Sequence, residues 1–201
     1  MRDFPGVLIE RSAPQAMQPL PPIRIAATSP DTFTINGRQG LPIVLAVRHE
    51  IARMFAPQIA AYREAYAAAG HPGRGQVFLR VPAYIAGTPR EARQDAAASL
   101  LHYYHAQSRL LADSAKRAGV DAADRRNATA ERLATMTYDE ALRGSVFIGT
   151  PNSVSAQLKT LQDELGLDGI LLELNCGGKI PHPRVMEATQ LLCQEVQPRF
   201  H

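Results

Sequence analysis

The 201-residue chain is sparing in the features that mark several large protein classes. It has two cysteines, Cys176 and Cys193, too few for a disulfide framework and without a metal-binding spacing. No apolar run is long enough to cross a bilayer, and the opening Met-Arg-Asp-Phe-Pro-Gly lacks the apolar core of a signal peptide. A cytoplasmic location is the resulting expectation. The net charge of +3 is mildly basic, and the basic residues, nearly all arginine, lie scattered among acids rather than clustered on one face. A nucleic-acid footprint needs such clustering, so that class is set aside. With 45% hydrophobic and 20% charged residues the chain has the balance of a globular protein and enough length for one sizeable core.

What is present alternates. Residues 1–22, with Pro14, Pro19, Pro21 and Pro22, form an expected extended arm. The apolar run 23–28 ends in Thr28-Ser29, and Pro30 follows where it suits the first residue of a helix. Gly40 stops that helix before a second apolar run, 41–46. A helix is expected from about 50 to 69, interrupted at Pro57 and stopped by Gly70. Strand 76–86 follows. Thr88-Pro89-Arg90-Glu91 is then a capping box opening a long helix to Lys116. The polar, Ala-rich segment near 120–145 is expected to form short helices in an insertion. Thr150-Pro151 opens another helix with Val154, Leu158, Leu161 and Leu165 at helical spacing. A near-continuous apolar strand, 169–176, and a closing helix, 182–197, complete the chain. Strands alternating with helices imply crossover units and a parallel sheet, here with strands in chain order and helices on one face only.

Several segments together resemble the C-terminal half of the bacterial luciferase-like, flavin-dependent monooxygenases. They are Pro21-Pro-Ile-Arg-Ile-Ala-Ala-Thr-Ser-Pro-Asp-Thr32, Gly40-Leu-Pro-Ile-Val-Leu45, Tyr62-Arg-Glu-Ala-Tyr-Ala-Ala-Ala-Gly-His71, Gly149-Thr-Pro151 and Glu195-Val-Gln-Pro-Arg-Phe200. The resemblance spans Pro19 to Phe200. It implies an α/β fold, a partial (β/α)8 TIM barrel equivalent to the last four βα units, with the site at the C-terminal ends of the strands. It also implies reduced FMN as cofactor, supplied by a separate NAD(P)H-dependent flavin reductase, with a deazaflavin as the alternative. An unknown small organic molecule would be the substrate. By the same resemblance Ser29 and Thr32 hold the cofactor phosphate. Thr28 stands where some relatives carry Glu, and Asp31 adds a negative charge beside the seat. The family's first four strands, with an Arg that clamps the phosphate, have no counterpart here. A homo-oligomer or a complementary half-barrel chain is therefore an expected partner. A different class of reading is a non-catalytic remnant or partner subunit.

Each candidate has a plainer explanation. Ser29 and Thr32 can serve as helix caps alone, as Thr88 and Thr150 do. Asn175, at the C-terminal end of the last strand, is the better candidate there for a polar contact with flavin or substrate, and Cys176 a small buried hydrophobe. His102 and His105 face one way on a helix but lack a third ligand, so no metal is expected. His49 and His182 are read as loop and surface residues. Arg80 and Glu173 interrupt apolar strands and, on adjacent strands, should form an ion pair on the inner face. No catalytic acid, base or nucleophile emerges from the sequence.

Overall fold

The computed structural model describes residues 22–47 and 52–200. The expected arm, up to residue 21, and His49 lie outside them. Five parallel strands form one sheet: β1 (Ile25–Ala26), β2 (Ile43–Ala46), β3 (Val77–Ile85), β4 (Phe147–Gly149) and β5 (Gly169–Glu173). The helices are α1 (Pro30–Gln39), α2 (Ala56–Ala68), α3 (Pro89–Ala115), α4 (Val120–Ala134), α5 (Tyr138–Arg143), α6 (Pro151–Leu165) and α7 (His182–Leu191). The four expected strands are β1, β2, β3 and β5, and they lie side by side in chain order.

β3 is the hub of the sheet. Its first part pairs with β2, its middle with β5 and its last three residues with β4. Side chains alternate along it, so Val77, Leu79, Val81, Ala83 and Ile85 enter one core. Phe33 of α1, Ile59 and Tyr62 of α2, and Val154, Leu158, Leu161 and Leu165 of α6 pack against them. Each fully buried aliphatic side chain there contributes roughly 1.5–3 kcal/mol relative to exposure.

The opposite face differs along its length. Near the start of the strands it is open: Leu171 is 46% exposed, and the Arg24 guanidinium lies 3.9 Å from the centre of the Phe78 ring. Arg80 pairs with Glu173 across β3 and β5, on the face predicted from strand alternation. Burial opposes the Arg80 charge, and the hydrogen bond Arg80 donates to Glu173, together with the charge of that carboxylate, more than offsets it, so the Arg80 pKa is raised. Further along, Tyr84 and Ala86 pack with Ala92 and Ala96 of α3 and Ala188 of α7. Helices therefore cover both faces at the C-terminal end of β3, against the expectation of one covered face. The cause is the length of α3, whose apolar Ala and Tyr positions need a surface to bury against.

Two further differences are local. β4 was not anticipated, because three residues, Phe147-Ile-Gly149, are too short to show a period. The closing helix is regular only to Leu191; a π-helical turn (Leu192–Val196) and a 3-10 turn (Gln197–Phe200) finish it.

Candidate functional site at the C-terminal ends of the strands

β1 delivers the chain directly into the N-terminus of α1. Ser29 is extended (φ −130°, ψ 154°) and precedes Pro30, which has the right φ for a first helical residue. The Thr32 hydroxyl accepts from the Ser29 amide at 3.2 Å and donates to the Ser29 carbonyl at 2.6 Å. Its single proton is thus committed to the helix turn. The Thr32 amide also bonds the Ser29 carbonyl, at 3.0 Å, and Pro30 has no N–H. What the turn presents outward is the Asp31 amide, the exposed Ser29 side chain and the positive end of the helix dipole, with the Asp31 carboxylate beside them. Thr28 is exposed next to them. The same arrangement of hydroxyls recurs at Thr150 and Ser153 at the start of α6. Chemically, the Ser29–Thr32 turn suits an anion in part, through one hydroxyl and one amide.

A second group of residues lies beyond β5. Asn175 Oδ1 accepts from the Ile180 amide at 3.1 Å, and the Ser99 hydroxyl oxygen lies 3.3 Å from it. Ser99, on α3 and 1% exposed, donates its one proton to the nearer Cys176 carbonyl at 2.7 Å and accepts from the Lys179 amide at 3.0 Å. Gly177 adopts φ +90°, and a Cβ there would lie 2.0 Å from the Ser99 carbonyl oxygen. Only glycine permits this approach. Burial, reinforced by the Glu173 charge, pushes the Cys176 thiol up to about 12, so it is a protonated, inert group at neutral pH.

On β3, Tyr84 donates to Asp95 of α3 at 3.0 Å, and Arg184 of α7 lies 3.6 Å from the same carboxylate. Burial, then the Asp95 hydrogen bond, raises the Tyr84 pKa well above its usual value. This trio ties β3 to α3 and α7, the two helices that cover its end.

Thr28, Ser29 and Thr32 therefore cluster at one edge of the sheet, while Asn175 belongs to a separate loop, with β2 and β3 between. His102 is half-buried, and His105 and His182 are exposed. Among the described residues no group of three or more His, Cys, Asp or Glu is placed to hold a metal ion. Ser99 escaped the reading of the sequence. The Gly177-Gly178 pair signals a tight backbone approach, but its partner is some 77 residues earlier along the chain.

A family-level comparison matches residues 4–169 to the luciferase-like monooxygenases. No curated protein matches the chain. Among solved structures, the monooxygenase RslO1 from Streptomyces bottropensis superposes with a TM-score of 0.66 at 21% identity, over 94% of this chain and 51% of that one. The FMN complex of the oxygenating constituent of 3,6-diketocamphane monooxygenase from Pseudomonas putida gives 0.65 at 17% identity, over 89% and 49%. The coenzyme F420-dependent tetrahydromethanopterin reductase from Methanopyrus kandleri gives 0.60 at 15%, over 90% and 51%. The chain thus spans about half the length of these structures, with which it shares the parallel α/β arrangement of a partial barrel. The breadth of the family match leaves the assignment plain: this chain belongs to the luciferase-like monooxygenase family.

Proposed function

We propose that the chain forms part of the cofactor pocket of a flavin-dependent monooxygenase acting on a small organic molecule. The observation that carries this reading is the Ser29-Pro30 helix start at the C-terminal end of β1, in a member of this family. Reduced FMN supplies the electrons that activate dioxygen, one oxygen atom entering the substrate and the other leaving as water. The Ser29 hydroxyl and Asp31 amide hold the phosphate at the positive end of α1, and Thr32 keeps that turn closed. Thr28 flanks the seat, and Asn175 contacts the cofactor from the far side of the sheet. The open face around Phe78 and Leu171 walls the ring from water once further βα units close the barrel. Those units come from a complementary half-barrel chain or a second copy, and reduced cofactor from a separate NAD(P)H-dependent reductase.

The similarity to a coenzyme F420-dependent reductase supports a second reading, hydride transfer with a deazaflavin in the same seat. The open inner face supports a third, a partner subunit without activity of its own. Titration of FMN and of a deazaflavin into the purified 201-residue chain separates the three. FMN should bind, weakly, because one hydroxyl and one amide are only part of a phosphate clamp. Ser29→Ala should weaken FMN several-fold and leave riboflavin, which has no phosphate, unchanged. Preference for the deazaflavin would favour the second reading; binding of neither would leave the third.

A further inference from the structure

We infer that Asn175 donates a hydrogen bond to a ring carbonyl oxygen of the flavin or deazaflavin, and that Ser99 is the positioning residue that aims it. The inference rests on the reading that the chain holds such a cofactor. Its basis is the direction of the Asn175 amide. The Ile180 amide can only donate, so the atom 3.1 Å from it is the Asn175 oxygen and not the nitrogen. The Ser99 hydroxyl lies 3.3 Å from the same oxygen, but its one proton goes to the nearer Cys176 carbonyl, so the Ile180 amide is the donor that fixes the side chain. The two N–H groups on Nδ2 have no partner among the described residues, and the side chain is only half-buried. Asn175 is thus a fixed donor pair without an acceptor, and whatever it meets must supply one.

The loop around it is rigid. Ser99 bonds the Cys176 carbonyl and the Lys179 amide on either side of Gly177-Gly178, and Gly177 lies against the α3 backbone too closely for any side chain. The Cys176 carbonyl is engaged by Ser99, which leaves the half-buried amide of Asn175, with the exposed Lys179 side chain beyond it, as the polar groups of this turn. The phosphate seat at Ser29 lies at the end of β1, three strand spacings away from β5, or about 14 Å along the sheet. A single phosphate cannot reach both. A flavin can, since it carries phosphate at one end and carbonyl oxygens at the far end of its fused rings.

The test uses the 15N-labelled 201-residue chain and follows the side-chain amide resonances of Asn175. FMN and riboflavin should shift them, and inorganic phosphate should not. Asn175→Asp keeps the hydrogen bond accepted from the Ile180 amide, and so the loop, but removes the donor pair; riboflavin affinity should fall about tenfold. In Ser99→Ala the Asn175 resonances should respond less to riboflavin, and the Lys179 and Ile180 amides should exchange faster. A shift of Asn175 with phosphate alone would make this an anion site and overturn the assignment. Riboflavin binding unchanged in Asn175→Asp would overturn it while leaving the cofactor reading intact. Failure of the unaltered chain to bind FMN, riboflavin or a deazaflavin would remove the cofactor reading and this inference together.

Discussion

Cys176 and Cys193 carry the same thiol in different surroundings. Cys193 is exposed, whereas Cys176 is held against α3 with its pKa raised to about 12. At pH 8 an aromatic disulfide reagent should label Cys193 quickly and Cys176 only as the fold opens; equal rates would remove the clasp between α3 and the loop after β5. The sign of the pH effect follows from the raised value. The folded state keeps its proton where the unfolded thiol, with an ordinary value of 9.0, loses it. The contribution to stability is complete below pH 9 and is lost as pH rises toward about 12. Tyr62, Tyr84 and Tyr138, each raised chiefly by burial, act in the same sense at higher pH. Urea midpoints should therefore fall above pH 9, and Cys176→Ala should flatten the first part of that fall. Arg80 and Glu173 were legible at this scale because a charge inside an apolar strand demands a partner, and strand alternation names the face. The Asn175–Ser99 pair was not, because neither residue interrupts a pattern.

At the scale of elements, the loop after β5 makes the sharpest prediction. A methyl group at Gly177 meets the α3 backbone, whereas at Gly178 it meets nothing within 4 Å. Gly177→Ala should cost about 3 kcal/mol or more, from steric overlap and a positive φ together. Gly178→Ala should cost about 1–2 kcal/mol, from the positive φ alone. Thermal melts of the two variants provide the comparison, and equal losses would mean that α3 does not press on this loop. Helix starts were legible because their signals are local: Ser29-Pro30, Thr88-Pro89 and Thr150-Pro151 each begin a helix as read. Strand lengths were less so. The apolar runs 23–28 and 169–176 extend beyond β1 and β5, because pairing stops at Ala26 and Glu173 although β2 and β3 continue; from Ala83 onward β3 pairs with β4 instead. The placing of α3 and α7 across the second face was hidden for a related reason. Their Ala-rich faces bury equally well on either side of a sheet, and only the three-dimensional path of the chain chooses.

For the whole molecule, the exposed inner face is decisive. Leu171 is 46% exposed, β1 and β5 pair on one side only among the described residues, and the chain spans half the length of the barrels it resembles. Free strand edges beside apolar surface favour association. Sedimentation of the purified chain should show self-association at micromolar concentration, reduced by Leu171→Glu on the open face. A monomer indifferent to that substitution would mean that the face is tolerated in water as it stands.

The hub position of β3 also sets a timetable. Its amide at Val77 is satisfied by the carboxylate of Asp168, 91 residues later in the chain. At about 5–20 residues per second, roughly 5–20 s of synthesis separate the appearance of the strand from that of its partner. Throughout that interval the stretch of β3 from Phe78 to Pro82 lacks its β5 neighbour. On the ribosome β1, β2 and β3 are complete while β5 is still to come, the state in which a chaperone or another nascent chain would find them.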